Sequence, residues 1–415
     1  MTPTDTLWSL ITSPWSLRPD TLFGAALLLV VAALLGEVVW RALRWPRLMG
    51  YGIVGAALAF TGLSADQAQP ALRLAIDVAL ALLLFETGTR LNLRWLGRNP
   101  WLLATSLAES LLAAVAVYLV CREFGLGTQG AAVLALIAMS VSPAVVQRVV
   151  GECGAQGQVT ERLLALTALN TLFAVLALKG LSAGLLLSRP DTWQAALPAV
   201  VISLAGSFLL GAALGSVVSA IARRLDLRNE NAVMLLLGFV LLALVVAKTL
   251  QLSTLLVPLL AGLWLRNRSD RPWVWPRHFG SAGGVLVLVL FVAVGAAWSP
   301  LDFPQALGLA AALLAARWAA KALAVFALAK PSGLAWGQAA SLSVCLLPMS
   351  ATAWVLALDF TAAHPEALPA VMPVLLTAIA LVELVGPLAV LYALRRAKEV
   401  DLPDAGASIG TGALR

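Results

Sequence analysis

Long apolar runs alternate with short polar, mostly basic segments along nearly the whole chain. Each run holds roughly 20 residues, the length that an α-helix needs to cross the hydrocarbon core of a bilayer. The runs lack the strict alternation of barrel strands, so helices are expected. The pattern predicts an all-α integral membrane protein with about 13 transmembrane helices. The predicted spans are 21–41, 48–63, 70–89, 100–121, 129–150, 160–187, 194–222, 231–250, 252–266, 281–299, 304–328, 337–358 and 366–394.

Composition supports a membrane protein and argues against other classes. The chain is 61% hydrophobic and 12% charged, more apolar surface than a soluble protein of this length can bury. The formal charge of +7 does not indicate a nucleic-acid partner, because the basic residues lie between the apolar runs. The three cysteines and two histidines have no metal-binding or disulfide spacing. We expect no cofactor, and the sequence shows no nucleophile–base–acid cluster of an enzyme.

Charge in the loops predicts the orientation and the domain boundaries. Every second loop carries Arg or Lys and the loops between them carry few, so the N-terminus is expected outside the cell membrane and the C-terminus in the cytoplasm. We read the first span as retained rather than as a signal peptide. Residues 1–20 are then an extracytoplasmic segment, 21–396 the transmembrane domain, and 397–415 a short cytoplasmic tail without a nucleotide-binding motif.

Two spans are interrupted by helix-breaking residues. One interruption contains Ser140, Ser142 and Pro143, and the other contains Pro348 and Ser350. Proline removes a backbone donor, and the freed backbone groups at membrane depth need polar partners. Broken helices at corresponding positions of two halves are typical of the binding sites of inverted-repeat transporters. The alternative is a pair of proline kinks that serve packing alone.

Ionisable side chains within the spans are the second functional signal. Each costs about 2.5–3.5 kcal/mol on insertion scales, so each needs a partner or a role. Arg317 and Lys321 are four residues apart and share one helix face. Glu109 and Glu383 are the most central carboxylates and the natural counter-charges. Asp77 lies one turn from Arg73 and is expected to form a local pair.

Several segments, taken in order, resemble the Kef-like branch of the monovalent cation:proton antiporters. They are PRLMGYGIVGAAL (46–58), LLLFETGTRLNLRWL (82–96), SVSPAVVQRVVGECGAQGQVTERLLALTALNTL (140–172), LLVPLLAGLWLRN (255–267), LFVAVGAAW (290–298), LLPMSATAWVLAL (346–358) and ELVGPLAVLYALRRAKE (383–399). The resemblance implies an inverted-repeat antiporter fold with two broken crossing helices, a homodimer, and exchange of Na⁺ or K⁺ for protons.

The resemblance also assigns site residues, with one departure. The family's broken helices correspond to Ser140, Ser142 and Pro143, and to Pro348 and Ser350; its basic residue corresponds to Arg317 or Lys321. The family's essential Asp falls on Thr171, beside Asn170. A Thr hydroxyl does not titrate near neutral pH, although it and the Asn amide can coordinate an ion as neutral ligands.

Three functions therefore stay open. In the first, the protein is a cation:proton antiporter in which Glu109 or Glu383 supplies the missing carboxylate. In the second, it transports an anion or organic acid on the same fold, using its buried cations. In the third, it is a membrane scaffold or sensor without transport. A contact between one of the two glutamates and the Asn170–Thr171 pair would favour the first.

Overall fold

A computed structural model of the chain describes residues 21–60, 70–187, 193–224, 230–268, 279–349 and 351–400. In these residues all the regular secondary structure is helical, as the sequence predicts. The helices are α1 (Thr21–Leu43), α2 (Leu48–Ala59), α3 (Pro70–Thr89), α4 (Leu93–Arg98), α5 (Pro100–Glu123), α6 (Thr128–Ile137), α7 (Pro143–Cys153), α8 (Gln158–Leu187), α9 (Trp193–Arg224), α10 (Glu230–Thr249), α11 (Leu256–Arg268), α12 (Phe279–Ala296), α13 (Phe303–Ala327), α14 (Trp336–Cys345), α15 (Ala351–Ala363) and α16 (Leu368–Arg396), with a 3₁₀ turn at Pro365–Ala367.

The predicted spans correspond to helices, with ends that differ by a few residues. Six helices among the described residues are long and apolar enough to cross a membrane by themselves: α1, α5, α8, α9, α13 and α16. The interrupted spans each form two short helices, α6 with α7 and α14 with α15. Residues 138–142 and 346–349 between them are not helical, so both breaks are full interruptions rather than kinks.

Local chemistry accounts for the first break. Pro143 is the first residue of α7, where its missing N–H costs no intrahelical bond. The Ser142 hydroxyl accepts a hydrogen bond from the Val145 amide at 3.4 Å and caps the new helix. At its other end, α7 stops at Gly154, which has a φ of +59°. Glycine adopts this left-handed conformation without steric cost.

The helices pack as two groups. A core bundle contains both broken pairs and the helices around them: α5, α6, α7, α8, α13, α14, α15 and α16. A flanking bundle contains α1, α2, α3, α9, α10, α11 and α12. We call the contact surface between the two bundles the seam. It runs mainly along α16 against α2, α8 against α9, and α7 against α3.

Glycines allow very close helix packing within the flanking bundle. A Cβ atom on Gly55 of α2 would lie 2.6 Å from the Val292 carbonyl oxygen of α12, and one on Gly262 of α11 would lie 2.0 Å from the Phe85 carbonyl oxygen of α3. Small residues at membrane helix contacts allow the backbones to approach in this way. The flanking bundle is therefore tightly joined at these crossings, and substitution by any larger residue would separate the helices.

The segment after α16 folds back onto the start of α8. The Glu399 carboxylate accepts hydrogen bonds from the backbone amides of Val159 and Thr160, at 2.8 and 2.7 Å, and from the Thr160 hydroxyl at 2.8 Å. These amides are among the first N–H groups of α8, which have no intrahelical partner. A carboxylate also interacts favourably with the positive end of the helix dipole. Glu399 thus caps a core helix that begins 240 residues earlier in the chain.

We predict that Glu399→Gln lowers the free energy of unfolding of the purified protein by about 1 kcal/mol, because an amide is a weaker helix cap than a carboxylate. The melting temperature should fall accordingly. Thermal unfolding in detergent measures the effect. Glu123→Gln is the matched control, since Glu123 is exposed at the end of α5. Equal melting temperatures for the two variants would show that the contact contributes nothing.

Candidate functional site

The two helix breaks meet inside the core bundle. The Ser142 amide donates a hydrogen bond to the Pro348 carbonyl oxygen at 3.0 Å. Ser140, Ser142 and Pro143 of the first break are buried, as is Met349 beside Pro348 in the second. Sequence positions about 200 residues apart are thus joined by one backbone hydrogen bond. Ser350, a predicted site residue, lies outside the described residues.

Arg317 of α13 binds the exposed helix ends at both breaks. Its Nε atom donates to the Ala138 carbonyl at 2.9 Å and its Nη2 atom to the Ser140 carbonyl at 2.6 Å, at the end of α6. Its Nη1 atom donates to the carbonyls of Leu346 and Leu347, at 3.3 and 2.8 Å, at the end of α14. The guanidinium therefore satisfies carbonyls that have no helical partner, and its positive charge faces the negative ends of two helix dipoles.

Lys321 lies one turn further along α13 and is completely buried. Its ammonium group donates to the Glu109 carboxylate of α5 and, at 3.0 Å, to the Met139 carbonyl of the first break. Glu109 is also completely buried. This ion pair joins α5 to α13 and to the end of α6 in the centre of the core bundle.

Glu109 also contacts the predicted ion-site helix. The Asn170 side-chain amide of α8 donates a hydrogen bond to the second oxygen of the Glu109 carboxylate. Asn170 is completely buried, and so is Thr171 beside it. The Glu109–Asn170 contact is the one that the sequence analysis used to distinguish the three open functions.

Sequence reasoning missed two members of this cluster. The hydroxyls of Ser106 and Ser110 donate to the Asn170 side-chain oxygen at 2.8 and 3.0 Å. With Glu109 they have the spacing i, i+3 and i+4, which places all three on one face of α5. That spacing was visible in the sequence, but serine is common in membrane helices and only the contact with Asn170 distinguishes these two.

Other predicted residues have different surroundings. The Thr171 hydroxyl donates to the Thr167 carbonyl of its own helix at 2.8 Å. The Ser140 hydroxyl likewise donates to the Ile137 carbonyl at 2.8 Å. Glu383 of α16 is buried, but it lies apart from the Glu109 cluster, between α16 and the flanking bundle. Of the two candidate carboxylates, only Glu109 therefore faces the buried cations.

A cleft of about 490 Å³ lies on the seam and approaches the first break. It is lined by α3 and α12 of the flanking bundle and by α7 of the core, including Ala144, which follows Pro143. Arg47, Arg148 and Glu152 lie at its polar end, where Glu152 pairs with Arg148 at 3.1 Å. The cleft extends along the seam from the end of the molecule that carries these charges.

The remaining charges within spans form pairs between helices. Asp77 binds Lys248 of α10 rather than only its neighbour on the same helix, so the prediction of a local pair misses its main partner. Lys179 of α8 binds Asp359 of α15 at 2.7 Å. These contacts hold helices together away from the breaks, which explains why the ion pairs are tolerated in an apolar bundle.

The sequence analysis found no nucleophile–base–acid cluster, but the fold brings one serine, one histidine and one glutamate together. The Ser182 hydroxyl lies 3.0 Å from Nε2 of His364, and Nδ1 of His364 lies 3.5 Å from the Glu366 carboxylate. The members are distant in sequence, so only the fold brings them together. The imidazole is buried, packs on the Phe360 ring, and is 3.5 Å from the carboxylate. This geometry is that of a polar contact between helix ends. Among the described residues, no group of three or more His, Cys, Asp and Glu could hold a metal ion.

Comparison with protein families matches residues 27–394 to the transmembrane sodium/hydrogen exchanger model. The chain belongs to the sodium/hydrogen exchanger family. No curated protein sequence matches it. Two solved structures of the sodium proton antiporter MjNhaP1 from Methanocaldococcus jannaschii are similar in fold. One, determined at pH 8, has a TM-score of 0.62 and 16% identity, over 90% of this chain and 95% of that one. The other, an electron-microscopy structure, has a TM-score of 0.66 and 17% identity, over 90% and 94%.

Family and fold together confirm the general predictions. The protein is a multi-pass membrane transporter of the cation:proton antiporter type, with the two broken helices expected of that fold. The family is one of transporters rather than of enzymes.

For this exchanger we predict that Arg317→Gln costs at least about 3 kcal/mol of stability, because several buried carbonyls lose a charged donor. Arg317→Lys should be only partly better, since one ammonium group cannot reach both breaks. Melting temperature and yield in detergent measure the effect, with Arg122→Gln, at an exposed helix end, as the control. Wild-type stability in Arg317→Gln would contradict the role of Arg317 as the link between the breaks.

Proposed function

We propose that the protein exchanges a monovalent cation, Na⁺ or K⁺, for a proton by alternating access, and that Glu109 carries the anionic charge of the ion site. The observation that supports this is the double contact of Glu109 with Asn170 and Lys321. Thr171 occupies the position at which the Kef-like branch would have an Asp. In this protein a carboxylate from α5 reaches the same asparagine from the facing helix.

The cluster offers the ligands that a hard monovalent cation prefers. The Glu109 carboxylate supplies a charged oxygen, and Asn170, Ser106 and Ser110 supply neutral oxygens around it. Without a cation, the Lys321 ammonium neutralises Glu109. A cation that binds to Glu109 displaces this ammonium, which is then buried beside Arg317 without a counter-ion.

A displaced Lys321 ammonium provides the coupling to protons. A buried cation without a partner is strongly disfavoured, and lysine can give up its proton to water under such conditions. The proton leaves as the cation enters, so the net charge of the site stays the same. The cation and the proton therefore exclude one another, which is the requirement for antiport. Arg317 is held by four carbonyl contacts and keeps its charge throughout.

The seam supplies the alternating access. The cleft approaches the first break from the end that carries Arg47 and Arg148. The positive-inside rule assigns this end to the cytoplasm, which supports an inward-facing arrangement with the N-terminus outside. Movement of the core bundle along the flanking bundle would close this cleft and open the opposite end. By resemblance to the Kef-like branch, the working unit is a homodimer.

The alternative functions receive less support from the geometry. An anion transporter would need a buried cation available to its substrate, but Glu109 neutralises Lys321 and backbone carbonyls surround Arg317. A scaffold without transport would have no need for a buried ion pair in the centre of the core bundle. Both alternatives remain outcomes of the flux measurements below.

We predict that Glu109→Gln abolishes cation-driven proton movement in proteoliposomes, because the site loses its only anion. The assay follows an internal pH reporter after addition of Na⁺ or K⁺, with chloride and an organic acid scanned separately. Glu123→Gln is the control and should exchange at the wild-type rate. Cation exchange by Glu109→Gln at the wild-type rate would disprove the assignment, and anion flux without cation flux in the wild type would favour the second function.

A second substitution tests whether Glu109 takes the role of the carboxylate that the resemblance to the Kef-like branch implies at position 171. Thr171→Asp places an anion next to Asn170, at the position where the resemblance to the Kef-like branch implies an Asp. We predict that it recovers at least part of the exchange in the Glu109→Gln background. In the wild-type background it should change the rate or the ion preference, since two anions would share one ammonium. If the double variant stays inactive while folding normally, the two positions are not equivalent.

A further inference from the structure

Glu383 of α16 is a buried carboxyl group that the Glu109 site does not use. The side chain is 4% exposed, and its Oε1 atom has no hydrogen-bond partner. Among the described residues no cation pairs with it. A buried polar atom without a partner is rare in folded proteins and calls for an explanation.

Glu383 lines a small cavity on the seam. The cavity has a volume of about 20 Å³, room for about one water molecule. Its lining comes from α16 of the core and from α2 and α12 of the flanking bundle. The indole Nε1 of Trp298, which also lines the cavity, is buried and unpaired as well. Two of the residues that line this cavity thus each carry a buried polar atom without a hydrogen-bond partner.

Among the described residues, the lining of this cavity contains no charge that could stabilise an ionised carboxylate. The residues that line it with Glu383 are Gly52 and Ala56 of α2, Val294 and Gly295 of α12, Trp298 after α12, and Leu376, Ala380 and Leu384 of the same helix as Glu383. None of them is titratable in the accessible range or charged. An ionised group buried in apolar surroundings neutralises instead of retaining its charge.

The cavity lies further along the seam than the cleft. On α12 the cleft extends as far as Val287 and the cavity begins at Val294, which are about 10 Å apart at the rise of an α-helix. Glu383 is also near the second break: it shares a face of α16 with Gly386, where a Cβ atom would lie 3.4 Å from the Pro348 ring. The open cleft therefore approaches the first break, and the closed cavity lies beside the second.

We propose that Glu383 is a proton-binding site on the closed side of the seam, protonated in this arrangement and separate from the Glu109 ion site. The carboxyl O–H donates to a water in the cavity, and the Trp298 N–H donates to the same water, so both unsatisfied groups gain a partner. When this side of the seam opens, more water enters, the O–H bond of the carboxyl breaks, and the proton passes to water.

Infrared spectroscopy tests the protonation directly and needs no transport. In reconstituted protein at neutral pH, we expect the C=O stretching band of a protonated carboxylic acid, which shifts in heavy water. Glu383→Gln should remove this band, and Glu383→Asp should move it. Glu109→Gln and the exposed-site control Glu366→Gln should keep it, because Glu109 is ionised in its pair with Lys321.

Each other outcome overturns the proposal. If the wild type lacks the band, or Glu383→Gln keeps it, Glu383 is ionised or irrelevant to it. If Glu109→Gln removes the band, the protonated group is Glu109. If Na⁺ or K⁺ at constant pH abolishes the band, Glu383 binds a cation instead of a proton. Melting temperatures near that of the wild type confirm that the variants are folded.

The connection to transport rests on the proposed antiport and has its own readout. We expect Glu383→Gln to exchange cations but with a pH dependence that is flatter than that of the wild type, whereas Glu109→Gln does not exchange. An unchanged pH profile would remove Glu383 from the transport cycle. If the wild type shows no cation exchange, the antiport proposal is wrong, but the infrared result still stands.

Discussion

Backbone carbonyls at two helix ends, deep inside an apolar bundle, are the constraint on which the rest of this structure depends. Lipid and packed side chains offer them no hydrogen bonds, and each carbonyl left unpaired there costs free energy. Arg317 solves this for both breaks at once, with bonds to Ala138 and Ser140 on one side and to Leu347 on the other. The broken helices can therefore exist because one buried cation joins them.

The buried charge of Arg317 must itself be stabilised. Arg317 brings a positive charge into the core, and Lys321 adds a second one on the same helix face. A buried ion is tolerated only when counter-charges or dipoles surround it. Helix-end carbonyls accept hydrogen bonds from Arg317. Lys321 donates to one carbonyl and to the Glu109 carboxylate. That carboxylate comes from α5, which faces both α8 and α13.

The fold could be predicted well from the sequence because the features that determine it are local in the chain. Apolar length and basic loops define spans, and Pro143 and Pro348 mark breaks without any knowledge of tertiary contacts. The sequence also limited the counter-charge to Glu109 or Glu383. It could not choose between them, because both lie near the middle of apolar helices and only the packing shows which one faces Lys321. Ser106 and Ser110 were missed for the same reason, and so was the Glu399 cap, which depends on a contact across 240 residues.

The different surroundings of the two glutamates follow from their places in the two bundles. Glu109 contacts Asn170 and Lys321, which both belong to the core bundle, so its ion pair is compatible with the proposed movement of the core. Glu383 lies on the seam, where its neighbours on α2 and α12 belong to the other bundle. A fixed ion pair across that surface would resist sliding, because separation would strand a buried charge. A neutral carboxyl in a small cavity imposes no such penalty, and it can ionise once water reaches it. Where an ion pair does cross the seam, between Arg47 and Glu152 at 3.8 Å, it lies at the polar end of the cleft and Arg47 is partly exposed, so separation would not leave that cation buried.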